Sequence, residues 1–240
     1  MPQPPFLSAE WKNLIMLNYE VDPNVLQPYL PSGTELDSFH EKHYCSMVGF
    51  LFLKTRVLGL PIPFHQNFEE VNLRFYVRRK YQNEWRRGVV FVREIVPRWA
   101  ITFVANKLFN ENYLALPMRH SSLDCSNSQG QTALKYEWKF NQSWNSISAT
   151  YSGVAREMLN DSLEEFIAEH YWGYAKGLNK STEYRVEHPR WKVLDIESCK
   201  LDCDVNALYG DKFAQFISGE PSSAFVAEGS AVKVYWGKRF

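Results

Sequence analysis

Alternation of apolar and polar side chains predicts several β-strands along this chain. The clearest strand covers residues 68–77, where one face is apolar and the other polar. Residues 132–140 alternate in the same way, and residues 146–151 are expected to be the hairpin partner of that strand. The other strands are expected at 11–21, 44–57, 88–95, 182–188, 191–204 and 230–236.

Helical spacing of apolar residues appears between these strands. Pro97, which is tolerated in a first turn, is expected to begin a helix that runs to about Phe109. Asp161 is expected to begin a longer helix with an apolar stripe, which Gly177 ends. Shorter helices are expected after Asp22-Pro23 and within 204–217, and loops are expected at 59–65 and 121–131.

The order of these elements predicts an α+β, β-rich fold. About ten strands and roughly three or four helices occur without regular strand–helix–strand alternation, which argues against a doubly wound parallel sheet. We expect a mostly antiparallel sheet, curled or closed, with peripheral helices packed against it. The aromatic content of 15% favours sheet. No linker or repeat interrupts the chain, so residues 1–240 are expected to form one domain.

Composition and charge exclude several classes of partner. Lys+Arg and Asp+Glu both number 27, so the basic excess typical of nucleic-acid binders is absent. No segment has the apolar length of a signal peptide or a membrane helix, so we expect a cytoplasmic protein with reduced thiols. Neither Cys199 with Cys203 nor His40 with His43 has further ligands that we can assign, so no metal site and no cofactor are expected.

The polar face of the 68–77 strand is the first candidate ligand-binding site. Such a row is ordinarily a solvated exterior. Asn has poor β propensity, and a tyrosine among charges suits a partly enclosed site, so a binding surface is favoured here. The row consists of Glu70, Asn72, Arg74 and Tyr76.

Two further candidates lie later in the chain. Arg93 and Glu94 interrupt an apolar strand, and only one of them can face a given cavity, since neighbours on a strand point oppositely. A buried charge needs a partner, so Arg74 with Glu94, or Glu70 with Arg93, are expected cross-strand pairs; a purely structural ion pair is the alternative. His188 and Trp191 place an imidazole beside a rigid turn and an indole, where a packed histidine is the alternative.

Several of these segments resemble the YqjF-like family of uncharacterised bacterial proteins. The resemblance spans roughly residues 8–195, and its most specific parts are N-x-R-x-Y-V within 72–77 and H-P-x-W within 188–191. The other matching segments are Trp11–Leu14, Asp22-Pro23, Leu26, Leu30-Pro31, 35–37, 48–50, Phe68–Val71, Gly88-Val89, 166–171, 174–175 and 186–187. That family is similar in fold to acetoacetate decarboxylase, which implies a barrel with an internal ligand pocket.

The resemblance also shows a departure at the catalytic lysine of the decarboxylases. Residues 92–95 and 97–99 resemble their R-E followed by P-K-K, in which a lysine after the proline forms a Schiff base with the keto acid. Here Arg98 follows Pro97, and a guanidinium stays protonated and cannot be that nucleophile. Lys107 lies nine residues beyond Arg98 and does not match the motif.

Three hypotheses about function follow. The favoured one is a pocket for a small carboxylate or carbonyl compound, in which Arg74 binds the anion and Glu94 is an acid or base. The second is a Schiff-base enzyme that uses Lys107. The third is a non-enzymatic binding module or homodimer built on the aromatic excess. The candidate ligand-binding residues are Glu70, Asn72, Arg74, Tyr76, Arg93, Arg98, His188 and Trp191, with Glu94 and Lys107 as catalytic candidates.

Overall fold

A computed structural model describes residues 3–125 and 130–240, and within them one continuous hydrogen-bonded sheet contains sixteen strands. The first eight are β1 Leu7–Glu20, β2 Glu35–Leu36, β3 Tyr44–Val57, β4 Leu60–Pro61, β5 Phe68–Tyr81, β6 Glu84–Val96, β7 Tyr113–Ala115 and β8 Met118–Cys125. The others are β9 Gln131–Phe140, β10 Ser143–Tyr151, β11 Arg156–Glu157, β12 Trp172–Ala175, β13 Thr182–Glu187, β14 Lys192–Asp202, β15 Ser223–Val234 and β16 Lys238–Arg239.

The helices are short and lie around this sheet. They are α1 Pro23–Leu26 with a 3₁₀ turn at Gln27–Tyr29, α2 Trp99–Leu108, α3 Leu163–Ala168, α4 Val205–Tyr209 and α5 Asp211–Ile217. Asp22, Ser162 and Asp204 cap α1, α3 and α4 by accepting hydrogen bonds from backbone N–H groups of the first turn. No helix of the described residues is long and apolar enough to cross a membrane.

Seven strands close into a barrel, which confirms the predicted fold class. The ring runs β1, β3, β5, β6, β12, β13 and β15, and β15 returns to β1. All pairs in the ring are antiparallel except β6 with β12, where Gly88 and Val89 align with Trp172 and Gly173. Closure gives the sheet an interior face whose side chains point towards one another.

Part of the outer face of the barrel is buried as well. Strands β14, β10, β9 and β8 continue the sheet beyond β15 and cover β1, β3 and β5 from outside. Leu73 and Phe75 of β5 therefore pack against Tyr136 and Trp138 of β9 in an outer apolar layer. The apolar face of β5 thus looks outward into this layer, and its polar face looks into the barrel.

Three local predictions are corrected by the structure. The helix expected from 161 to 176 ends at Ala168, and Trp172–Ala175 form β12 because their backbone pairs with β13 and β6. The helix expected within 204–217 is divided at Gly210, whose φ of 95° is outside the helical range. The expected loop 121–131 contains the end of β8 and the start of β9, and residues 126–129 lie outside the described part of the chain.

Candidate functional site

A cavity of about 370 Å³ lies inside the barrel, and the polar row of β5 lines it. Glu70, Asn72 and Arg74 face this cavity together with Glu94 of β6, and all four are buried. They come together because β5 and β6 are antiparallel and Asn72 lies directly opposite Glu94. A solvated exterior for this row is therefore excluded.

Arg74 is a buried cation without a carboxylate partner. Its Nη2 donates a hydrogen bond to the Ile167 carbonyl oxygen (3.2 Å) and lies 3.9 Å from the Met16 sulfur. None of the ion pairs within 3–125 and 130–240 includes Arg74, and its Nε has no hydrogen-bond partner there. Because a buried charge is costly unless it is paired, this guanidinium favours an anionic ligand.

Three carboxyl groups line the same cavity, and one of them, Glu70, lies near enough to Arg74 for the guanidinium charge to oppose the rise of its pKa. Glu70 accepts hydrogen bonds from Asn72 Nδ2 (2.9 Å) and the Tyr113 hydroxyl (3.1 Å). Glu111 accepts one from the Tyr184 hydroxyl (2.7 Å). Glu94 faces both of these carboxyls, and its Oε2 has no hydrogen-bond partner among the described residues. All these side chains line the cavity.

Burial raises the pKa values of all three carboxyls, and repulsion from neighbouring carboxyls adds to this for Glu94 and Glu111, which makes the cluster a candidate for proton transfer near neutral pH. Burial raises the pKa of Glu94 well above its ordinary value, and the Glu111 and Glu70 carboxyls raise it further. Burial raises the pKa of Glu70 to about 7 and the pKa of Glu111 to about 8. These carboxyls therefore hold protons at a pH where ordinary carboxyls are ionised.

Two histidines complete the polar lining. His170 is buried, and both ring nitrogens lack hydrogen-bond partners within the described ranges. Burial, together with the positive charges of Arg87 and Arg74, holds the pKa of His170 well below its usual range. His188 also lines the cavity, with its ring stacked 4.3 Å from the Trp191 ring, and burial lowers its pKa. Both imidazoles are therefore neutral at pH 7.

Four predicted site residues lie outside the cavity lining. Tyr76 is buried beside it, and its hydroxyl is 2.6 Å from the Ser46 Oγ. Arg93 points to the opposite face of β6, so Glu94 is the member of the pair that faces the cavity. Arg98 precedes α2 and is exposed, and Lys107 lies on the exposed side of α2. The placement of Lys107 in the pocket is thus corrected, since its side of the helix faces solvent.

The expected cross-strand ion pairs are also corrected. A register shift between Leu73 and Arg74 places Arg74 opposite Phe91, so Arg74 and Glu94 are not direct neighbours. Glu70 and Arg93 point to opposite faces of the sheet. The ion pairs recorded for the described residues include neither combination.

Sequence analysis missed Glu111, Tyr113, Tyr184 and His170. Glu111 and Tyr113 follow α2 in a segment without periodicity, so no pattern predicted that they face the barrel. A signal for Tyr184 was present, because Tyr184, Val186 and His188 alternate along one face of a predicted strand. His170 was placed on a helix that the structure ends earlier.

Comparison with solved structures defines the fold class to which this barrel belongs. Acetoacetate decarboxylase from Legionella pneumophila superposes with a TM-score of 0.69 at 13% identity, covering 100% of this chain and 88% of that one. An acetoacetate decarboxylase-like enzyme from Sphingomonas wittichii gives 0.67 at 14% identity, covering 98% and 92%. The enduracididine biosynthesis enzyme MppR, bound to a condensation product of pyruvate and imidazole 4-carboxaldehyde, gives 0.66 at 10% identity, covering 100% and 90%. The fold is acetoacetate decarboxylase-like.

Within this class the sequence defines a particular family. Residues 8–231 match the model of DUF2071, described as an uncharacterized conserved protein, and the chain belongs to that family. It is 25% identical over 190 residues to the uncharacterized protein YqjF of Bacillus subtilis, which covers 78% of this chain and 75% of that protein. The resemblance to YqjF-like proteins is confirmed.

Proposed function

We propose that this protein binds a small carboxylate that also carries a carbonyl group, and that it exchanges a proton with the bound compound. Arg74 carries the proposal: it is a buried guanidinium that faces the cavity and has no anionic partner within the described ranges. A ligand carboxylate would supply the missing negative charge through charge-assisted hydrogen bonds. Pyruvate bound in the similar fold of MppR supports a keto acid as the class of ligand.

The carboxyl cluster supports the proton-transfer part of the proposal. A carbonyl makes the adjacent C–H group acidic, and a base near it can remove that proton. In this step the ionised form of Glu94 accepts the proton, the C–H electron pair forms a carbon–carbon double bond, and the carbonyl oxygen becomes an enolate. Return of the proton to carbon restores the ligand. Glu70 and Glu111 tune Glu94, because their charges determine when it is ionised.

A covalent Schiff-base route is not part of the proposal. No lysine of the described residues lines the cavity, and both Arg98 and Lys107 are exposed. Incubation with pyruvate and borohydride is therefore expected to leave the mass at Lys107 unchanged. A reduced adduct at any lysine would restore the covalent hypothesis.

Two measurements test the proposal. Thermal denaturation with a panel of carboxylates and 2-oxo acids is expected to show stabilisation of the wild type, which Arg74→Gln loses. Arg93→Gln is the matched control, because Arg93 lies on the cavity-lining strand β6 but its side chain points away from the cavity. In D₂O, NMR is expected to show exchange of the hydrogens next to the carbonyl of a bound 2-oxo acid, and Glu94→Gln is expected to abolish it. Equal stabilisation of wild type, Arg74→Gln and Arg93→Gln by the same carboxylates would contradict the proposal.

A further inference from the structure

The size of the cavity exceeds what a minimal keto acid needs. A water molecule takes about 30 Å³ of liquid, so the cavity volume of about 370 Å³ accommodates on the order of a dozen non-hydrogen atoms. Pyruvate has roughly six such atoms, so it would fill about half of this space. The polar groups described above also occupy only part of the lining.

Most of the remaining wall is apolar. Aromatic side chains of β3 and β5 form one side, with Phe50 and Phe52 next to Phe68, whose ring stacks 4.6 Å from that of Phe52. Leu14 of β1 and Val89 of β6 continue this surface. A small charged ligand gains nothing from such walls, whereas a hydrocarbon group gains free energy in proportion to the area that it buries.

Helix α2 covers the same cavity with an apolar inner side. Ala100, Ile101, Val104 and Ala105 all line the cavity, and α2 buries none of its side chains fully. Apolar helix faces ordinarily pack on a core. Here the inner face of α2 borders the cavity, and Val104 at 38% exposure and Ile62 at 39% mark where the cavity reaches solvent.

We infer that the ligand is an amphipathic acid, with its carboxylate at Arg74 and an apolar chain lying between the phenylalanines of β3 and β5 and the inner face of α2. This inference rests on the proposed function, and it adds the substrate class: acids with a chain of several carbons. The cavity volume has room for an acid of about ten carbons, counted together with its two carboxylate oxygens.

A homologous series of unbranched acids tests the inference. Calorimetric titration of the full-length protein with acetate, butanoate, hexanoate, octanoate, decanoate and dodecanoate is expected to show a Kd that falls about fourfold for each methylene. This decrease in Kd is expected to stop near decanoate. Decanoate is titrated below its micelle concentration. Decan-1-ol serves as the uncharged probe, and it is expected to bind at least about tenfold more weakly than decanoate, because it lacks the charge that pairs with Arg74.

A variant that narrows the cavity locates the chain. Ala105→Leu is expected to move the end of the series to an acid about three carbons shorter, because the added side chain occupies that room. Ala207→Leu is the matched control, since Ala207 is exposed on α4 and away from the cavity, and it is expected to leave the series unchanged. If Ala105→Leu does not fold, Val104→Phe is used in the same way.

The outcomes separate the inference from the proposed function. Binding that depends on Arg74 but is constant or strongest for acetate would overturn the apolar-chain inference and leave the carboxylate proposal intact. A chain-length dependence that persists in Arg74→Gln, with decan-1-ol equal to decanoate, would support the chain and overturn the carboxylate anchor. An unchanged series in both narrowing variants would also overturn the inference.

Discussion

Glu94 illustrates how residue-scale physics defines this site. Its carboxyl is 2% exposed, faces Glu70 and Glu111, and lies opposite Asn72. Removing a carboxyl from water disfavours its charged form, and neighbouring carboxylates disfavour it further. A glutamine at this position would have the same shape without that cost, which supports the proton exchange proposed for Glu94.

The pH dependence of stability is expected to report this group. A carboxyl whose pKa is raised by folding holds its proton more tightly in the folded state, so it lowers the free energy of unfolding as pH rises above 4.5. His170 and His188, whose pKa values are lowered, act in the opposite direction up to about pH 6.5. Because Glu94→Gln and the wild type share these histidines, the difference between the two proteins reports Glu94.

Glu94→Gln is expected to become more stable relative to the wild type as pH rises from about 5 to 8, by about 1–2 kcal/mol. Urea denaturation at several pH values measures the difference. Glu84→Gln, at the exposed end of the β5–β6 hairpin, is expected to follow the wild type throughout. Parallel curves for Glu94→Gln and the wild type would contradict the assignment of a raised pKa to Glu94.

At this scale the sequence predicted part of the cavity lining. The row on β5 was identified because an asparagine and a tyrosine among charges do not fit a simple exterior, and Glu70, Asn72 and Arg74 do line the cavity. The choice between Arg93 and Glu94 could not be made, because it depends on which face of β6 looks inward. Glu111 has no sequence signal, since only tertiary packing brings it to the cluster.

At the scale of elements, tertiary pairing overrides local pattern. Residues Trp172–Ala175 carry the end of a helical stripe, and yet they form a strand between β6 and β13. Apolar residues at helical spacing also satisfy a strand that is buried on both faces. The strands at 68–77 and 132–140 were predicted correctly because each has one apolar and one polar face, which gives a clear alternation in the sequence.

The parallel pair of β6 and β12 depends on a glycine. A Cβ at Gly88 would clash with the Trp172 carbonyl oxygen and with the Tyr174 ring, and the backbone atom cannot move without parting the strands. Gly88→Ala is expected to lower the free energy of unfolding by more than about 3 kcal/mol in urea denaturation.

Gly219→Ala is the control for that substitution. A Cβ there meets no atom of the described chain within 4 Å, so its effect is expected to stay within about 1 kcal/mol. A Gly88→Ala protein as stable as this control would show that the barrel closes without close contact between β6 and β12.

At the scale of the whole molecule, closure creates the site. The pairing of β12 with β6 on one side, and of β15 with β1 on the other, joins the last third of the chain to earlier strands, and the ring encloses the polar row of β5. Such long-range pairings leave no local signal in a sequence. Periodicity therefore predicted a mostly antiparallel sheet, and only the resemblance to a known fold implied that it is a barrel with a pocket. The homodimer expected from the aromatic content stays a prediction.

The central claim is that Arg74 anchors a carboxylate inside this barrel. Calorimetric titration of the tightest-binding carboxylate into wild type, Arg74→Gln and Arg93→Gln at one pH and salt concentration tests it most directly. We expect equal Kd values for wild type and Arg93→Gln, and a Kd about 10- to 100-fold higher for Arg74→Gln, because hydrogen bonds to charged groups contribute about 1.5–3 kcal/mol. Kd values within about threefold for all three proteins would contradict the claim.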